Sequence, residues 1–118
     1  MALQGTCRQV SDVAVIDLSG KITLGEGSAA LRRLIRDAVD GGYRKILLNL
    51  DEVDYIDSAG IGEMVGAYSM VRGTSGEIKL VNLTKRVRDI IQITRLFTVF
   101  DVANDEATAL QTFRQPAP

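Results

Sequence analysis

ILLNLDEVDYIDSAGIG, residues 46–62, carries a strand, a crossing and the start of a helix in one short run. Ile46-Leu47-Leu48 is continuously apolar, the pattern of a strand covered on both faces. The chain then passes through Asp51 to Ile56 and reaches Asp57-Ser58. Beyond that pair Ile61, Met64, Val65, Tyr68 and Val71 or Arg72 recur at helical spacing. Gly73 and the Thr74-Ser75-Gly76 turn end the helix. A buried strand feeding an amphipathic helix is the repeating unit of a parallel α/β sheet.

The flanks extend this pattern. Val13 to Leu18 is short, β-branched and bounded by Ser11-Asp12 and Ser19-Gly20, so it reads as a strand. Leu3 to Val10 is a weaker strand, joined to it by a tight turn at Ser11-Asp12 to make a hairpin. After Gly25-Glu26-Gly27-Ser28, an apolar stripe of Leu31, Leu34, Ile35, Ala38 and Val39 marks a helix, with Arg32, Arg33 and Arg36 outside it and Gly41-Gly42 as its stop. Downstream, Ile78 to Val81 reads as a strand, and Thr84 caps a helix that turns Val87, Ile90 and Ile91 inward. Leu96 to Phe100 reads as a short apolar strand, and Asn104 or Asp105 caps a last helix carrying Ala107, Leu110 and Phe113. The expected fold is a single α/β domain over residues 1–114, a mixed and mostly parallel sheet with about four α-helices, followed by a tail, Gln115–Pro118, that frays.

Composition narrows the function. A chain of 118 residues with 46% hydrophobic and 25% charged residues can bury one core as an ordinary globule. Fourteen Lys+Arg against fifteen Asp+Glu, with no long basic block, give no nucleic-acid footprint, so partners are expected among proteins. The single cysteine, Cys7, excludes an internal disulfide and a cysteine-based zinc cluster. It reads as a small buried hydrophobe on its strand and fits a reducing, cytoplasmic setting. The opening MALQGTCRQV lacks a charged region followed by an apolar one, and no apolar run approaches the roughly 18 to 20 residues that span a bilayer. Neither export nor direct membrane insertion is expected.

The chemistry centres on Ser58. Either Asp57 or Ser58 can accept a hydrogen bond from the first turn of the following helix. Gly60 and Gly62 in that turn and Gly66 one turn on each cost a helix about 1 kcal/mol relative to alanine. Two readings account for them: close packing of helix on sheet, or open access to Ser58 for a partner's backbone or a phosphate. A serine nucleophile needs a base, and with no histidine a Ser-His-Asp set is excluded. Neither a phosphate-binding loop nor a nucleophile elbow occurs, and Gly60-Ile-Gly62 lacks the third glycine of a dinucleotide site. No catalytic residue, metal site or cofactor is therefore expected. The remaining enzymatic alternative, a small-molecule phosphotransferase using Ser58, predicts turnover by the protein alone. A phosphoacceptor fits better, since a helix N-terminus favours negative charge and a phosphate would place about −1.5 to −2 charges beside Asp57.

Asp57-Ser-Ala-Gly-Ile-Gly62, preceded by an apolar strand and Asp51-Glu-Val-Asp-Tyr-Ile56, resembles the phosphorylation signature of the STAS domain, specifically of bacterial anti-sigma-factor antagonists. Leu18-Ser-Gly-Lys-Ile22 is similar to the family's turn after the second strand, and Leu96-Phe-Thr-Val-Phe-Asp101 to its late strand. The resemblance implies an antagonist that, unphosphorylated, binds an anti-sigma factor that is also an ATP-dependent serine kinase, releasing the sigma factor. The kinase would phosphorylate Ser58 and weaken the complex, and a metal-dependent serine phosphatase would reset it. Asp57 would orient Ser58 and cap the helix; Gly60 and Gly62, with Ala59 and Ile61 between and beside them, would let the kinase approach. Ser19, Gly20, Lys21, Ile22 and Thr23 would complete the partner-binding surface, in a turn beside the serine. The free protein is expected as a monomer. Two positions depart from the family's usual pattern, which often has an acidic residue near Thr23 and an aspartate where Asn49 ends the third strand; both bear on the partner rather than the fold. Thr94-Arg95 reads as loop or rim, its arginine a solvated charge. The same domain also serves as a non-switching module, as a subunit of a lipid-transport ATPase or a scaffold layer in a stress complex.

Overall fold

The structure, a computed structural model, describes residues 3–113. The expected boundary after residue 114 and the fraying of Gln115–Pro118 fall outside the described residues. Strands β1 (Gln4–Val10) and β2 (Val13–Ile22) form the hairpin, and helix α1 (Glu26–Asp40) leads to β3 (Lys45–Ile56). Helix α2 (Ser58–Gly73), β4 (Glu77–Val81), α3 (Lys85–Ile93), β5 (Asp101–Ala103) and α4 (Glu106–Thr112) follow. The strands lie in the order β1-β2-β3-β4-β5, the β1/β2 pair antiparallel and the β2/β3, β3/β4 and β4/β5 pairs parallel. Ser11, at φ 53, makes the tight turn between the first two.

Because each parallel strand sits beside its predecessor, the three crossover helices share one face of the sheet. Their apolar stripes meet the alternate residues of β2, β3 and β4. Leu31, Ile35 and Ala38 of α1, Met64, Ala67 and Val71 of α2, and Val87 and Ile91 of α3 close over Ala14, Ile16, Leu18, Ile46, Leu48, Leu50 and Leu80. On the other face Ala109 and Phe113 cover Val13, Val15, Leu47 and Val81. Burial on both faces is what the uninterrupted Ile46-Leu47-Leu48 run requires. Beyond α4 this second face is polar: Arg8 bridges Asp17 and Glu106.

Several expectations change. The Leu96–Phe100 strand is absent; Leu96–Thr98 forms a 3-10 turn that buries Leu96 and Phe100, and the strand is Asp101–Ala103. Residues 51–56 are no link, because β3 runs unbroken to Ile56 and pairs with β2 as far as Ile22. Ser19 to Ile22 are consequently strand rather than turn, and only Thr23 of that set lies beyond it. Two irregularities accommodate this pairing. Asp17 to Ser19 is matched by Asn49 to Glu52, and Gly20 to Lys21 by Val53 to Tyr55, so β3 carries an extra residue each time. Asn49 does not end β3; it sits inside the strand, donating to Asp17 at 2.8 Å and accepting from Asn82 at 3.1 Å and from the Asp51 N–H at 3.2 Å. Val65 faces outward and Ala67 takes the inward position in α2, while in α4 Ala109 replaces Ala107 inside. Cys7 is exposed, not buried: β1 is an edge strand, and α1 packs on it at Gly5, beneath Leu34, rather than at Cys7. Arg95 is an exposed residue in the left-handed region at φ 60, following the Thr94 cap of α3.

Candidate functional site

The C-terminal ends of β2 and β3 and the N-terminus of α2 meet at one corner. Asp57, extended at φ −92 and ψ −177, is the cap of α2, and its Oδ1 accepts the Gly60 N–H at 2.8 Å. Its Oδ2 accepts the Leu24 N–H at 3.0 Å, so one carboxylate ties the helix to the segment after β2. The Asp57 N–H donates to the Ile22 carbonyl at 3.2 Å. Asp57 is thus the cap and Ser58 the first helical residue. The N–H bonds from Gly60, then from Leu24, hold the Asp57 carboxyl below its ordinary range.

Ser58 is exposed, and its hydroxyl makes no hydrogen bond to any other described residue. It leads an outward strip of α2 with Gly62, Val65, Gly66 and Ser69, all exposed. The glycines divide between the two readings. Gly60 is buried, and a Cβ there would overlap the Ile22 carbonyl oxygen and come within 2.9 Å of its carbon and of Ile22 Cγ2. Packing therefore accounts for Gly60. A Cβ at Gly62 would meet nothing within 4 Å, and one at Gly66 only Glu63 Oε2 at 4.0 Å, so both leave the strip beside Ser58 flat and open.

The expected surface residues separate in the same way. Thr23, Asp57, Ser58, Ala59, Ile61 and Gly62 come together at the corner, and Lys21 joins them through an ion pair with Asp54 at 3.1 Å. Ile22 is fully buried and lies under Gly60, so these two shape the corner from beneath. Ser19 and Gly20 lie back along β2 opposite Glu52 and Val53, with Ser19 about 10 Å of strand from Ile22. Two residues absent from the expected set belong to the corner. Leu24 is 79% exposed, and Tyr55 is exposed next to the end of β3. The sequence signal for Leu24 was a lone large apolar residue outside every helical or strand pattern, wedged between Thr23 and Gly25.

Among the described residues no group of three or more His, Cys, Asp or Glu could hold a metal ion, and no helix is long and apolar enough to cross a membrane. The profile of the STAS domain matches residues 6–109. The chain belongs to the STAS domain family. Among relatives, this STAS domain is 34% identical to BtrV of Bordetella bronchiseptica over 80 residues, covering 68% of this chain and 69% of BtrV. It is 31% identical over 88 residues to the anti-sigma-B factor antagonist of Bacillus subtilis, covering 75% and 79% of the two chains. Its fold is also that of the Bacillus cell-fate determinant SpoIIAA, solved in its phosphorylated form: the TM-score is 0.68 at 23% identity, over 92% of this chain and 97% of SpoIIAA.

Proposed function

We propose that this STAS domain is an anti-sigma-factor antagonist that binds an anti-sigma serine kinase while Ser58 is unphosphorylated, so releasing a sigma factor, and lets go when Ser58 is phosphorylated. The observation that carries this is the Ser58 hydroxyl, exposed and unbonded at the first turn of α2 beside a strip that glycines keep flat. The relationship to the anti-sigma-B factor antagonist and the existence of a phosphorylated form of SpoIIAA support it.

In this reading the STAS domain is a ligand and a substrate, not a catalyst. The kinase supplies Mg-ATP and the base. A bond forms between Ser58 Oγ and the γ-phosphorus of ATP, the bond to ADP breaks, and the hydroxyl proton passes to the kinase's base. The domain contributes an accessible nucleophile, a helix N-terminus that tolerates the new charge, and a neighbouring carboxylate that makes that charge felt at the surface. A serine phosphatase restores the hydroxyl by hydrolysis. The setting is the cytoplasm, where kinase and sigma factor reside.

The test is intact-mass spectrometry of wild type and Ser58→Ala after incubation with Mg-ATP and the candidate anti-sigma kinase of the same genome, with a pull-down of each form. One added phosphate on wild type only, with Ser58→Glu losing the kinase that Ser58→Ala retains, supports the switch. No phosphate and no capture by any such kinase overturns it in favour of a non-switching module.

A further inference from the structure

We infer that Leu24 is the apolar anchor of the kinase-binding surface and that Asp57 is the positioning residue tying that anchor to the state of Ser58; this rests on the partner switch proposed above. Leu24 is a large apolar side chain left 79% exposed, yet its backbone is held at its own N–H and through both neighbours. Its own N–H goes to Asp57 Oδ2, the Thr23 carbonyl accepts the Ser28 N–H at 2.9 Å, and the Gly25 carbonyl accepts the Ala29 N–H at 3.0 Å. An exposed leucine on a pinned backbone binds without the cost of ordering a loop. Tyr55, near the end of β3, adds exposed apolar surface at this end of the molecule, and the cation of Lys21 is already engaged by Asp54. The occupant this fits is an apolar pocket on the protein partner.

The two oxygens of Asp57 have separate duties, one to the helix and one to Leu24. Phosphate on the adjacent Ser58 adds about −1.5 to −2 charges to the same helix end and competes for the same N–H donors. The carboxylate is repelled from a site it previously held alone. Its bond to Gly60 lies within one helical turn, whereas its bond to Leu24 reaches across to a different segment, so the second is the one to yield. Phosphorylation then removes the partner's anchor as well as adding charge.

The experiment titrates the anti-sigma kinase against wild type, Leu24→Ser, Leu24→Met and Asp57→Asn, with amide hydrogen exchange of the free proteins. Leu24→Ser is expected to weaken capture about tenfold or more, with Leu24→Met staying within about threefold and both melting as wild type does. Asparagine caps helices as well as aspartate but offers one acceptor oxygen in place of two. In Asp57→Asn, and equally in phosphorylated wild type, exchange at the Leu24 N–H should accelerate while Gly60 stays protected. The loss of affinity in Asp57→Asn should also shrink in the Leu24→Ser background. Wild-type capture with unchanged affinity in Leu24→Ser overturns the anchor. Unchanged Leu24 exchange in Asp57→Asn and on phosphorylation overturns the coupling. Failure of wild type to capture the kinase overturns the partner switch itself, and the anchor with it.

Discussion

Gly60 rests directly on the backbone of Ile22, close enough that no side chain fits between helix and strand. Alanine is the better helix former by about 1 kcal/mol, yet here it must push α2 off β2, and overpacking of this kind costs about 1–3 kcal/mol. Gly60→Ala is therefore expected to be destabilised in urea unfolding by up to about 2 kcal/mol net. Gly66→Ala, which meets only the tip of Glu63, should gain up to about 1 kcal/mol. Equal effects at the two positions would contradict the packing assigned to Gly60.

Asp57 carries a pH signature. Its folded carboxyl lies below the ordinary 3.8, so the unfolded chain takes up the proton first. The stabilisation it provides is complete above the ordinary value and is lost as pH falls through the folded one. Asp12, Asp17, Asp54, Asp105 and Glu106 are lowered in the same direction, so the whole protein weakens in acid. Asp57→Asn should flatten the acid limb of a stability-versus-pH curve and leave its shape at neutral pH unchanged. A limb identical to wild type would count against the double hydrogen bond.

Arg32 of α1 forks onto Glu63 of α2, with Nε to Oε2 at 3.2 Å and Nη2 to Oε1 at 2.6 Å. The Glu63 side chain is only 13% exposed, whereas Lys85 and Asp89 on α3 pair at 3.6 Å in open solvent. Removing Arg32 strands a largely covered carboxylate; removing Lys85 strands a solvated one. Arg32→Ala should lower the melting temperature more than Lys85→Ala does, and the difference should persist in high salt.

Lys79 is a buried lysine on β4, its ammonium 2.9 Å from Asp101 and 5.3 Å from the centre of the Phe113 ring. It joins β4, β5 and α4 through one cation. Asp101→Ala leaves that cation with the ring alone and should cost about 1–2 kcal/mol in chemical unfolding. Lys79→Met removes the charge together with its needs and should stay within about 1 kcal/mol of wild type. A larger loss in Lys79→Met than in Asp101→Ala would reverse this assignment.

Local chemistry made most of the architecture legible. Caps at Thr84 and Asp105, stops at Gly41-Gly42 and the stripes of α1 and α3 are all short-range signals. What escaped depends on partners distant in the chain. Ser19-Gly20 has turn composition but stays in β2 because β3 bends to keep pairing with it. Leu96 and Phe100 lie one helical turn apart and cover the core as a turn, while the true β5 is three residues long at the sheet edge, too short to show alternation. Cys7 has a buried residue's chemistry on an edge strand that α1 covers at Gly5, nearer its start. At the site the serine and its cap were readable, but the reason for Gly60 lies at Ile22, and the bond that gives Leu24 its place comes from Asp57.

The extra residues of β3 set a rule for how this chain can change in length. Leu50, Val53 and Ile56 all face inward, three positions apart, because each irregularity turns the strand over once and the second restores what the first reversed. A single deletion inside either irregularity, at Asp51 or at Asp54, would remove that extra residue and leave Ile56 opposite Ile22, with Asp57 and Ser58 still at the outward corner. Losing both would return the strand to simple alternation against β2 with the corner unmoved. Shortening should accordingly be tolerated at these two places inside a buried strand, where the pairing already carries one residue too many.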